Sequence, residues 1–362
     1  MTLAVNIAQG ASNNVTFRNR IINGACVIDQ RNAGASVTPT SGTYTLDRWV
    51  AYLSQTNKLT IQQNAGSVTP PAGFTNYLGV TSSSAYSVVS SDEFNINQPI
   101  EGFNVADLAW GTANAKTVTL SFWVRSSLTG TFGGCLRNGS VARSYPFSYT
   151  ISAANTWEYK TITVAGDTTG TWATNNTTGL FVTIGLGNGA STSNTAGAWA
   201  AGNFTNATGA TSVVGTNGAT LYITGVQLEA GTTASPFEYR QYGTELALCQ
   251  RYCAMLNSAN ANSTYLRYGI GQVVNSTGAN IMISLPVSMR IAPSLTNSTV
   301  SGFQLYAANA LNTITSLFIA DSLPASFVML SANVASGLIA GQGVNLISNN
   351  NITSYLLFTA EL

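Results

Sequence analysis

Val118, Leu120, Phe122 and Val124 alternate with Thr119, Ser121, Trp123 and Arg125, a period of two that predicts a strand with one face in a core. Leu180, Val182, Ile184 and Leu186 repeat the pattern, as do Phe147, Tyr149 and Ile151, while Leu59 and Ile61 begin a shorter one. From Leu221 to Leu228 the alternation holds until Gly225, where the period slips and a bulge is expected. Such strands, separated by Gly, Asn and Thr turns, predict a two-sheet antiparallel sandwich.

The pattern changes after Gly243. Thr244 is placed to N-cap a helix and Glu245 suits the positive end of its dipole. Leu246, Cys249, Cys253 and Leu256 make one apolar stripe, and Leu248, Tyr252 and Met255 make a second. A helix apolar on two sides needs two neighbours, so Leu248, Tyr252 and Met255 are the candidate oligomer interface. Beyond it, segments 265–274, 280–285, 302–307, 316–321, 327–331 and 355–362 read as strands of a second β domain, punctuated by prolines. The expected division is an amino-terminal arm over 1–20, a sandwich over 21–242, a linking helix over 243–257 and a β domain over 258–362. Residues 231–243 are expected as an extended strap. Residues 187–218, rich in Gly, Asn and Thr, are expected as a long loop of the kind that binds something.

Composition changes this picture at one point. Only 7% of the residues are charged, against about 25% in ordinary soluble domains. The surface is therefore made of uncharged polar residues. With 10% aromatics and a positive mean hydropathy, disorder is not expected. A net charge of +1 offers no basic face for nucleic acid, and no apolar run approaches the about 20 residues of a membrane span. After Leu256 only Arg267, Arg290, Asp321 and Glu361 are charged, a poor surface for a monomer. Four cysteines are expected as buried reduced thiols, which suits assembly in a reducing cytoplasm. No secretory signal opens the sequence, so an extracellular role is expected to need lysis or export within a particle.

The stretch TGVQLEAGTTASPFEYRQYGTELALCQRYC resembles a junction of phage tail-fibre and related virion proteins, where a carbohydrate-binding-module-like jelly roll hands over to a helix and a β-rich tip. NRIINGACVIDQRNAG, YTLDRW, IEGFNVADLAWGTANAKTVTLSFWVRSS and NTWEYKTITVAGDTTGTW resemble the same family, as do ISLPVSMRIAPSL and the final FTAEL. The resemblance implies a jelly roll, a place in the virion, attachment to other virion proteins through the arm, and a homotrimer. It implies assembly in the host cytoplasm and exposure after lysis. The functional expectation is a non-catalytic fibre or receptor-binding protein that takes a host surface glycan; a glycan depolymerase and a capsid decoration protein are the alternatives.

Candidate chemistry is sparse. Histidine is absent, which removes His-based triads and His-ligated zinc. Asp92 with Glu93 and Glu101 with Asp107 are the local carboxylate pairs for glycoside cleavage, and neighbours on a strand point to opposite faces. Asp47 and Glu229 are weak candidates for a structural Ca²⁺; turn capping, or pairing with Arg48 or Arg240, is favoured because no DxDxD-type cluster is present. No other cofactor is expected. Sugar binding needs an exposed flat ring with amides and hydroxyls beside it. Trp110, Trp172 and Trp199 sit among turn residues, and Trp123 with Arg125 lies on the non-core face of a strand. These five are the candidate carbohydrate-binding residues, with a plug at the sandwich end as the other reading of each tryptophan. Trp49 and Trp157 read as packing residues.

Overall fold

The computed structural model describes residues 17–259, 263–322 and 326–362. It divides into two compact units, residues 1–240 with Leu362, and residues 241–361. Of the expected amino-terminal arm, residues 1–16 lie outside the described residues. Residues 17–20 run along the first unit: the Phe17, Arg18 and Asn19 amides donate to the Glu238 carboxylate, and the Arg20 amide donates to Leu228 O at 2.8 Å.

The first unit is a jelly-roll sandwich of two antiparallel sheets. One has seven strands in the order β1 (Thr43–Leu46), β2 (Trp49–Leu53), β5 (Glu93–Glu101), β10 (Thr178–Asn188), β7 (Gly130–Asn138), β8 (Arg143–Ile151) and β12 (Ala200–Ala201). The other has five, in the order β3 (Leu59–Gln63), β4 (Leu78–Ser82), β14 (Thr220–Ala230), β6 (Val118–Ser126) and β9 (Glu158–Val164). A short parallel pair, β11 (Ser193–Asn194) and β13 (Asn206–Ala207), belongs to the long loop. The alternating residues do what their period requires. Leu120, Phe122 and Val124 of β6 and Leu180, Val182 and Ile184 of β10 are fully buried in one core. Each fully buried side chain of this size contributes about 1.5–3 kcal/mol. Gly225 has φ 62°, and the β14–β6 register shifts between Thr224 and Gln227, which is the expected bulge.

The second unit opens with one helix, α1 (Tyr242–Gln250), and here the expected boundaries are corrected. Its N-cap is Gln241, and Thr244 lies inside the helix. The chain leaves the helix after Gln250 and Cys253–Asn257 becomes strand β15, because the apolar run there alternates as well as it spirals. Leu248, Tyr252 and Met255 therefore do not share a helical stripe. Tyr252 is fully buried within the chain and is not available to a second copy, while Leu248 and Met255 are half-buried.

β15 pairs with β23 (Tyr355–Thr359), and β23 pairs with β18 (Ser294–Asn297). Six further strands close a barrel in the order β16 (Arg267–Val273), β17 (Gly278–Ser284), β21 (Phe327–Val334), β20 (Ala310–Ser322), β19 (Phe303–Ala307) and β22 (Gly343–Ser348). Closure removes the free edges an open sheet would expose. Ile281, Phe303, Leu305, Val328, Leu330 and Leu346 fill its interior. All four cysteines are buried and none is in a disulfide, and burial pushes the Cys26 and Cys135 thiols up to about 12.

Candidate functional site

Three places on the first unit carry the chemistry. The first is an end of the sandwich, where the structure brings together three of the five sequence candidates. The Trp110 ring meets Trp172 at 4.7 Å between centroids and Trp199 at 5.3 Å, all near edge-to-face, and Trp199 also meets Tyr145 at 5.3 Å. Their indole N–H groups are taken: Trp110 donates to Lys116 O, Trp172 to Thr169 O and Trp199 to Ala165 O. Trp110 is 7% exposed and the other two pack half-buried against the core. A small pocket of about 190 Å³ remains beside Trp110 and Trp172, lined by Val105, Ala109 and Ala173.

The second place is the outer face of the five-stranded sheet. Trp123 of β6 stands opposite Tyr159 of β9, with ring centroids 5.4 Å apart. On the same face Arg125 donates its Nε to Asn155 O at 3.0 Å and lies 5.5 Å from the Tyr222 ring centroid.

The third place was not among the sequence candidates: the outer face of the seven-stranded sheet. In β5 Phe94, Ile96 and Ile100 point into the core, so Glu93, Asn95 and Asn97 point out. Register sets Asn97 against Thr183 of β10, and Phe181 of β10 against Arg137 of β7. Arg137 is 5% exposed, lies 5.1 Å from the Phe181 ring centroid, and donates to Asn97 Oδ1 at 2.9 Å and Asn203 Oδ1 at 2.7 Å. The Asn97 amide donates to Asn95 Oδ1, and Asn95 donates to Glu93 Oε2 at 3.2 Å. A relay of two carboxamides thus joins a buried cation to a half-buried carboxylate.

Among the described residues Arg137 forms no ion pair, and its buried Nε has no partner. Burial pushes its guanidinium below the ordinary arginine value, since desolvation disfavours the charge. Tyr52 of β2 flanks the relay, paired with Asn95, half-buried, and burial raises its phenol pKa. The expected binding loop lies across the same face. A side chain on Gly133 or Gly185 would meet Asn206 at 2.3 or 2.2 Å, so glycine is what lets the loop approach β7 and β10. The signal was in the sequence: EFNINQPIE has a period of two with amides on its polar side.

The carboxylates named above are held by the protein. Asp92 accepts from the Tyr86 hydroxyl at 2.9 Å and the Val89 amide at 2.8 Å, and Asp107 pairs with Arg20. Asp47 accepts from Gln30 and pairs with Arg31 at 3.6 Å. Glu229 accepts from Ser235 and Gln227 and pairs with Arg18 at 3.7 Å. No group of three or more metal-ligating side chains stands together among the described residues.

No protein-family model and no curated protein matches the chain. Among solved structures it is similar to the enzymatically active domain of tailspike protein 4 of bacteriophage CBA120, with 12% identity and a TM-score of 0.32 over 59% of this chain. The match spans 22% of the length of that tailspike chain. It is also similar to TmCBM61 in complex with β-1,4-galactotriose, with 10% identity and a TM-score of 0.30, covering 59% of this chain and 99% of that one. A third is the family 11 carbohydrate-binding module of Clostridium thermocellum in complex with a β-1,3-1,4-mixed-linked tetrasaccharide, with 9% identity and a TM-score of 0.26, covering 54% and 95%.

Proposed function

We propose that the first unit binds a bacterial surface glycan on the outer face of its seven-stranded sheet, and that the chain is a non-catalytic fibre protein of a bacteriophage particle. One observation carries the binding reading: the relay from Arg137 through Asn97 and Asn95 to Glu93, set between the rings of Tyr52 and Phe181. Sugars combine apolar C–H faces with a rim of hydroxyls. The half-buried rings of Tyr52 and Phe181 suit the first and the half-buried Glu93 carboxylate suits the second, while Asn95 and Asn97, fully buried, hold that carboxylate in place and do not themselves meet the sugar. Because the side chains are already tied to one another, little ordering remains to be done on binding.

Cleavage is not part of the proposal. Glycosidases need two carboxyl groups between about 5 and 9.5 Å apart. Glu93 and Glu101, which share this face, close the two ends of β5, about 27 Å apart at the rise of a strand. The place in a virion, tail or capsid, rests on the resemblance of the 221–256 stretch. Association as a trimer stays in the proposal, with the contact moved from Tyr252 to the barrel wall. There Ile270 and Met282 stand opposite each other across β16 and β17, 68% and 44% exposed.

The test is binding of the full chain to purified host surface polysaccharides by calorimetry. Tyr52→Ala and Phe181→Ala should each weaken binding about tenfold, or about 1.4 kcal/mol, with the fold intact. Unchanged affinity in both folded variants would remove the site, and sustained release of reducing ends would remove the non-catalytic reading.

A further inference from the structure

Six tryptophans give an internal comparison. Trp49, Trp110, Trp157, Trp172 and Trp199 each donate the indole N–H to a backbone carbonyl, at 2.7 to 3.2 Å. A ring that serves packing alone ends this way, because a buried donor without an acceptor is costly. Trp123 donates to no group among the described residues, although it is half-buried in the middle of β6.

We propose that Trp123 and Tyr159 form a second sugar-binding surface, for a single hexopyranose ring, on the outer face of the five-stranded sheet. The two rings lie at 51° to each other and Tyr159 is 44% exposed, so they open outward as a wedge. Arg125, two residues along the same face, is fixed by Asn155 O at its Nε and by the Tyr222 ring beneath it, leaving its two Nη groups without partners among the described residues. One ring face therefore takes the C–H side of a pyranose. The Trp123 N–H and the Arg125 Nη groups donate to its hydroxyls.

The rest of this face is already covered. The Phe74 ring sits over Gly225, and Thr163 holds the strap through Thr232 O at 3.2 Å. Among the described residues neither the strap nor the Phe74 loop makes a ring contact or side-chain hydrogen bond with Trp123 or Tyr159, and two adjacent rings offer room for about one sugar. The class of ligand rests on the glycan reading given above; the place rests on the unspent indole and its neighbours.

The experiment follows the six indole N–H resonances of the ¹⁵N-labelled full chain, assigned by single Trp→Phe substitutions, during titration with methyl β-glucopyranoside and methyl β-galactopyranoside. The Trp123 resonance should move and saturate with at least one probe while the other five stay. The shift should persist in Tyr52→Ala, which alters only the other sheet. Tyr159→Ala should weaken it about tenfold, with the five remaining resonances unmoved as evidence that the fold is kept. A Trp123 resonance that neither probe moves overturns the proposal, whatever polysaccharide binding shows for Tyr52 and Phe181. Saturable movement at Trp123 alongside unchanged polysaccharide affinity in the Tyr52 and Phe181 variants supports this surface and removes the first.

Discussion

Arg143 holds Asp167 through two parallel hydrogen bonds, Nε to Oδ2 at 2.7 Å and Nη2 to Oδ1 at 2.8 Å. Asp167 Oδ1 also accepts from the amide and hydroxyl of Thr169, and its backbone carbonyl accepts from Gly111 N at 2.7 Å. The carbonyls on either side of it, Ala165 O and Thr169 O, are the acceptors for Trp199 and Trp172. One ion pair therefore fixes the turn on which two rings of the tryptophan cluster depend. Bidentate pairs of this kind hold geometry as well as charge.

That pair makes stability depend on acid. Burial pushes the Asp167 carboxyl up, but the hydrogen bonds from Arg143 and Thr169 outweigh it and hold the group below its ordinary value of 3.8. A carboxyl depressed on folding contributes stability that is full above the unfolded value and is lost as pH falls through the folded one. Thermal unfolding followed from pH 7 to pH 2 should therefore steepen below about pH 3.8. Asp167→Asn should be less stable at neutral pH by about 1–3 kcal/mol and should show a flatter acid limb. Equal acid limbs in both proteins would show that Asp167 is not the group responsible.

The bulge in β14 gives a second expectation. Gly225 has φ 62°, and a Cβ there would stand 2.6 Å from Phe74 Cζ, in a ring that packs on Phe237 at 5.2 Å. Gly218 has φ 75° with open space around it. Gly218→Ala should cost only the left-handed conformation, about 1–2 kcal/mol, whereas Gly225→Ala pays that and displaces Phe74 as well. Denaturant titration of the two variants isolates the difference. If they lose the same stability, Phe74 yields freely and does not pin the bulge.

These two sites also mark what the sequence makes legible. Strands such as 118–124 and 180–186 are readable because one face is apolar and the other is not, and Gly225 is readable because it breaks that period. The end of α1 is not. Cys253, Leu256 and their neighbours satisfy a helical stripe and a strand equally, and pairing with β23 decides the matter from about a hundred residues away. β22, with the sequence GVNLIS, has only a short apolar run and owes its place to barrel closure. The same holds for function. A tryptophan among turn residues signals an aromatic cluster, but whether its N–H is already used depends on carbonyls far along the chain. The Arg137 relay joins β7 to β5 across the strand between them, so only its β5 part is visible as a pattern.

The last expectation separates the tryptophans by what they hold up. Trp110 is 7% exposed, packs edge-to-face on two other indoles and donates to Lys116 O at 2.7 Å. Removing it empties the middle of the cluster, and substitutions of this kind cost about 3–5 kcal/mol when the surroundings do not collapse. Trp123 has one aromatic neighbour and solvent on its open side, so Trp123→Ala should cost about 1 kcal/mol or less. Below its own melting point, the Trp110→Ala protein should bind polysaccharide as the unmodified chain does, because the Tyr52 and Phe181 face lies on another part of the sandwich. Chemical denaturation and calorimetry on the same two variants decide this. A stable Trp110→Ala protein that has lost its ligand would make the tryptophan cluster a binding site instead of a plug.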